Sequence, residues 1–214
     1  MKRYPVPIGL VRREITVVNS RFIGSLAPAF SIEEAKAFIH QVKAEFTDAS
    51  HHVPAYLIGF GESVIAHCSD AGEPSGTAGR PVLAVLQGSG LGDIVVVITR
   101  YFGGTKLGTG GLVRAYSDSA REVLSAVKRA ERVLTHTVML EIPYSLLQRV
   151  RQLVMAHHGQ IVDEDFTANI VVTVRVAVEN LPLFQASLTE ISSGAIQTEL
   201  IETREVLIPL EKKE

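Results

Sequence analysis

Two stretches hold most of the residues able to do chemistry. The first, SDAGEPSGTAGRP (Ser69–Pro81), sets two carboxylates, Asp70 and Glu73, and two hydroxyls, Ser75 and Thr77, among Gly76 and Gly79. Carboxylates and hydroxyls on permissive backbone suit three tasks: holding a metal, activating water, or gripping a basic partner. The second, TRYFGGTKLGTGGLVRAY (Thr99–Tyr116), joins an apolar run to a helical pattern through Gly103, Gly104, Gly108, Gly110 and Gly111. A helix start leaves N–H groups unpaired and carries partial positive charge, so it attracts phosphate or carboxylate. Arg100, Lys106 and Arg114 can add charge-assisted contacts there, Arg21 can extend the patch, and Tyr101 or Phe102 can stack on a planar ligand. In this reading Asp70 and Glu73 form one wall of the binding site, and orient the loop or its basic residues.

Several chemistries lack their spacing. Neither G-x-x-x-x-G-K-[ST] nor G-x-G-x-x-G occurs at the second stretch, so a P-loop or dinucleotide fingerprint is not supported. His51, His52, His67 and Cys68 lie near the first stretch, but no H-E-x-x-H or C-x-x-C accompanies them, and no metal or cofactor is expected. G-x-S-x-G is absent, the Gly88–Gly90 GSG has no elbow context, and Cys68 beside a histidine is not a dyad. His157–Gly159 reads as a helix end. Glycine-rich turns are also a common structural device, and the plain alternative has them serving only tight turns and close helix packing.

The surrounding chain has the character of a globular protein. It has 214 residues, 46% hydrophobic, with a formal net charge of −2. No apolar run reaches the ~18 residues of a membrane helix, and the N-terminus has no signal-peptide pattern, so a cytoplasmic location is expected. The single cysteine fits a reducing compartment. Residues 1–130 carry 14 Lys/Arg against 11 Asp/Glu, whereas residues 131–214 carry 7 against 12. Thirteen of the 17 glycines fall between Gly59 and Gly111, and two lie beyond residue 130. The two halves therefore read as different domains, and neither offers a broad basic face.

The second domain, 131–214, reads as β-α-β-β-α-β: a strand at Thr135–Ile142, a helix opened by Pro143 and stopped by Gly159, strands at QIVDEDF and NIVVTVRVAVEN, a helix capped by Asn180, and a last strand after Gly194. That order is ferredoxin-like. In the first domain, strands EITVV and RFIGSLA flank an Asn19-Ser20 turn, and Ser31 with Glu34 forms a capping box. A hairpin turns at Gly61, a short element covers Pro81–Leu86, and a buried strand follows Asp93. A helix from about Gly111 to Lys128 then buries Leu112, Tyr116, Ala120, Val123 and Val127. The fold class is α+β in two domains.

DASHH, SDAGEPSGTAGRP and VVVITRYFGGTKLGTGGLVRAYS, with the weaker NSRFIG, together resemble the YigZ/IMPACT family. The resemblance implies an IMPACT-type N-terminal domain with a ribosomal-protein-like α+β fold, and a C-terminal domain similar to the ferredoxin-like domains of elongation factors. It implies a role in translation, since eukaryotic relatives act as translational regulators that compete for an activator of the starvation-responsive initiation-factor kinase. Two positions depart from the family pattern. Ala71 stands where SDDGEP is common, removing a carboxylate, and Val53 stands where a cysteine often follows the HH pair. The expected function is a non-enzymatic or weakly enzymatic, translation-associated protein that engages RNA, the ribosome or a protein partner. The alternative is a small-molecule enzyme of phosphate-ester or nucleotide chemistry, with Asp70 or Glu73 as acid/base.

Overall fold

A computed structural model describes residues 3–210, so the outermost residues of both expected domains lie outside the described residues. The chain forms two compact units: Arg132–Leu207 is one, and the chain up to Glu131 together with the stretch from Ile208 is the other. The division thus differs from a single cut at 130/131, because the chain returns to the first unit, where the Leu210 N–H donates to Arg129 O at 2.9 Å.

The first unit is built on an antiparallel sheet of β2 (Val11–Val17), β3 (Ser20–Pro28), β4 (His51–Ile58), β5 (Ile65–Cys68) and β6 (Ile94–Tyr101), in the order β2-β3-β6-β4-β5. A short strand β1 (Pro5–Pro7) pairs with the start of β7 (Arg129–Ile142). Central β6 is buried on both faces, as its unbroken apolar run predicts. Helices α2 (Gly79–Gln87) and α3 (Gly108–Ser125) cover one face, packing Val82, Leu86, Leu112, Tyr116 and Ala120 over Phe22, Leu26, Val53, Val96 and Ile98. Helix α1 (Ile32–Glu45) covers the other, where Ala35 meets Ala27, Tyr56 and Val95. The Ser31 half of its expected capping box forms, Ser31 Oγ accepting from Glu34 N at 3.1 Å, while the Glu34 carboxylate reaches one residue past the cap and accepts from the Phe30 N–H.

The second unit holds most of β7, then α4 (Leu147–Ala156), β8 (Gln160–Phe166), β9 (Ile170–Ala177), α5 (Leu181–Ser192) and β10 (Glu199–Pro209). Its strand order, β10-β7-β9-β8, is that of the ferredoxin-like arrangement. Ile170, Val172 and Val174 alternate inward against Val150, Val154, Phe184 and Leu188.

Several local expectations are corrected. The β2–β3 turn sits at Val18-Asn19, with Val18 at φ 55°, and Ser20 already belongs to β3. Strand β4 begins at His51, four residues before the expected hairpin strand, and α3 begins at Gly108 rather than Gly111. Pro143 is extended and precedes a 3-10 turn instead of opening α4. The left-handed residue after α4 is His158; Gly159 is required by packing, because a Cβ there would lie 3.1 Å from Val154 and 3.2 Å from Arg175 O. Asn180 makes no side-chain cap and instead donates its amide to His157 O.

Candidate functional site

Strand alternation assembles the site. Counting in twos along β6 puts Arg100 on the same face as Ile94, Val96 and Ile98, beneath α2 and α3. Register places Phe22 of β3 on one side of it and His51 of β4 on the other. The Arg100 guanidinium is therefore delivered into the end of a core, with its side chain only 5% exposed. A cation there requires a partner. Glu73 provides it: its side chain is 4% exposed, and Oε1 accepts from Arg100 Nη1 at 2.6 Å and from the Tyr116 hydroxyl at 2.7 Å. Arg100 Nη2 donates to Ser20 Oγ at 3.3 Å, and that oxygen also receives the Gly103 N–H. The guanidinium lies over the rings of Phe22 and Phe102. Burial, reinforced by Glu73, pushes the Tyr116 hydroxyl far above its ordinary range, so it stays a donor.

Three polar atoms of this cluster have no protein hydrogen bond. Arg100 Nε is buried and unpartnered. Glu73 Oε2 receives no bond among the described residues, yet it is not sealed from solvent. His51 Nδ1 lies 3.0 Å from Ala71 O, and a carbonyl only accepts, so Nδ1 carries the proton. Nε2 lies 3.9 Å from Glu73 Oε1; it accepts in the singly protonated ring and donates in the doubly protonated one. Arg100, Glu73 and His51 line a cleft of about 400 Å³ together with Phe102, Lys106 and the first residues of α3.

The two helix starts in this unit are finished differently. Asp70 is spent inside its own loop: Oδ2 accepts from Gly76 N at 2.8 Å, and Oδ1 accepts from Ala78 N at 3.1 Å and Gly79 N at 2.8 Å. Burial pushes its carboxyl up, but those three N–H groups and Arg80 outweigh burial and hold it below its ordinary value. Thr77 Oγ1 donates to Pro74 O, and a Cβ on Gly79 would lie 2.7 Å from Ser69. At α3, by contrast, no side chain caps the helix, and a Cβ on Gly108 or Gly110 would meet nothing within 4 Å.

Of the residues expected from the sequence, the cleft brings together Glu73, Arg100, Phe102, Lys106 and Gly108. Arg100 differs from an exposed anion hook: each terminal nitrogen has one partner, and Nε has none. Asp70 is a loop organiser with both oxygens occupied, so the acid/base role considered for it is withdrawn. Ser75 is exposed outside the cleft, and Gly103 presses on Asn19, where a Cβ would fall 1.9 Å from the carbonyl oxygen. Gly104 makes a turn at φ 83°, and a Cβ on Gly111 would touch Leu107. Tyr101 points to the opposite sheet face and donates to Asp48; Arg21 pairs with Glu14 and lies over the Tyr101 ring. Arg114 is exposed and does not line the cleft. His51, Ser20 and Tyr116 were missed as site residues: His51 is the β4 partner of Arg100, Ser20 stands two residues before its β3 partner Phe22, and neither pairing is written in the local sequence.

Among the described residues no group of three or more His, Cys, Asp or Glu is placed to hold a metal. Burial and Asp70 push the Cys68 thiol up, away from the thiolate a nucleophile needs. Among the described residues no helix is long and apolar enough to cross a membrane.

Comparison with known proteins matches residues 18–124 to the Impact N-terminal domain, and residues 140–195 to a domain of unknown function, DUF1949. The chain is 38% identical over 206 residues to an IMPACT family member of Haemophilus influenzae, covering 96% of this chain and all of the relative. It is 36% identical over 203 residues to the IMPACT family member YigZ of Escherichia coli, covering 94% of this chain and all of that one. A crystal structure of a hypothetical protein shares 36% identity and superposes with a TM-score of 0.62, covering 94% of this chain and 98% of that one.

Proposed function

Because the chain belongs to the IMPACT family, with both of its domains matched and relatives aligned end to end, we propose that it is a translation-associated binding protein that captures an anionic group of RNA or the ribosome in the cleft at the start of α3. One observation carries this reading: an 18-residue helix opens uncapped on a glycine-rich turn beside Lys106, in a cleft also lined by Arg100, whose Nε is buried and unpartnered. The tie to translation comes from the family. The acidic second half limits nonspecific attraction, which favours a shaped local site over a broad basic surface.

Co-sedimentation with ribosomes from lysate, at rising salt and with and without nuclease, tests it. Association should weaken steeply with salt, and Lys106→Ala should weaken it further by roughly threefold to tenfold while the fold is unchanged. A protein that stays in the supernatant at low salt, nuclease or not, sinks the proposal.

A second reading, an enzyme acting on a phosphate ester, is favoured by the unengaged Glu73 Oε2 and His51 Nε2 in the same cleft. Phosphate release from nucleotides that disappears in Glu73→Gln would support it over simple binding.

A further inference from the structure

The cleft has two chemical ends. At the α3 end stand donors only: the free N–H groups of the first helical turn and the Lys106 ammonium, with buried Arg100 Nε beside them. At the sheet end stand Glu73 Oε2, an acceptor to which no group donates among the described residues, and His51, whose Nδ1 donates to Ala71 O and whose Nε2 lone pair is open in the singly protonated ring. Phe102, 48% exposed, forms an aromatic wall between solvent and the guanidinium. A phosphate alone satisfies only the donor end and offers nothing to the acceptors. A matching ligand carries an anion, hydroxyl donors and a planar ring.

From this division we infer that the cleft takes one ribonucleotide unit, with its phosphate on the α3 turn and Lys106, its ribose hydroxyls on Glu73 and His51, and its base against Phe102. A carboxylate accepting from ribose hydroxyls is a recurrent way to read the sugar, and the 2′-hydroxyl separates RNA from DNA. The cleft volume of about 400 Å³ suits a single nucleotide, not a tract of strand. The inference rests on anion capture in this cleft and adds the identity of the sugar. The source is either a free ribonucleotide or an unpaired nucleotide of RNA.

Calorimetric titration of the full chain with adenosine 5′-monophosphate, its 2′-deoxy analogue, inorganic phosphate, and short single-stranded oligoadenylate in RNA and DNA forms separates these possibilities. The ribo forms should bind about tenfold tighter than the deoxy forms. That ratio should collapse in His51→Gln while inorganic phosphate binding persists, and Phe102→Ala should weaken nucleotides but not phosphate. Ribo preference seen with the mononucleotide assigns free nucleotide as the source; preference seen only with the oligomer assigns RNA. Equal affinity for ribo and deoxy forms overturns the sugar assignment and leaves anion capture intact, whereas no binding of any phosphate compound overturns both.

Discussion

Two glycine-rich loops in the first unit each open a helix, and they solve the same electrostatic problem in opposite ways. At α2 the unpaired N–H groups are met by Asp70, a carboxylate that reaches six to nine residues along its own loop. At α3 they are left to solvent, with a lysine beside them. Glycine also means different things in the two places: Gly79 has no room for a side chain, whereas Gly110 has space on every side. The contrast teaches that glycine content does not mark a ligand site. The proposed site rests instead on an unfinished helix start with an unfinished buried polar group among the residues that line the same cleft.

Four experiments break or sharpen that contrast. The largest effect belongs to Glu73→Gln, which leaves the Arg100 guanidinium buried without its counter-charge; unfolding stability should fall by about 3–5 kcal/mol, read as a lower urea midpoint. Next is Asp70→Asn, which weakens three charge-assisted bonds at the α2 start and should cost about 2–3 kcal/mol without touching nucleotide or phosphate affinity. The pH profile gives this test a signature. The native Asp70 carboxyl sits below its ordinary 3.8, so the unfolded chain takes up the proton first as pH falls. The stabilisation is complete above about pH 5 and drains away as pH drops through the native value; Asp70→Asn should remove that part of the acid slope.

Smaller in stability, but opposite in sign, is Gly110→Ala. Helix propensity predicts a gain of up to about 1 kcal/mol, and ligand affinity should nonetheless fall as a methyl crowds the approach to the α3 amides. A gain in stability with unchanged affinity would falsify the view that this glycine serves ligand access. The smallest stability change is expected for Lys106→Ala, within roughly 0.5 kcal/mol of the parent by thermal melting, with its effect confined to binding.

Much of the architecture was legible because it is periodic. The inner stripe of α3, the alternation along β9 and the Ser31 cap on the Glu34 N–H all depend on neighbours a few residues apart. Counting in twos along β6 also shows that Arg100 shares the buried face of Ile98, a cue that its charge would need an internal partner. The identity of that partner was not legible. Glu73 is 27 residues from Arg100 and 43 from Tyr116, and only the folded loop brings them together. Local turn chemistry failed where packing outranked it. His158 holds the left-handed position that glycine would be expected to hold, while Gly159 packs closely against Val154.

The Tyr116–Glu73 hydrogen bond also gives the molecule an optical handle. The chain has five tyrosines and no tryptophan, so its near-ultraviolet absorption and emission are those of tyrosine alone. Burial, reinforced by its carboxylate partner, makes Tyr116 resist ionisation, so in an alkaline absorbance titration its signal will lag. Its lag behind the others is a direct optical measure of whether the Glu73 cluster is assembled, in the wild type or in any variant, with no label attached.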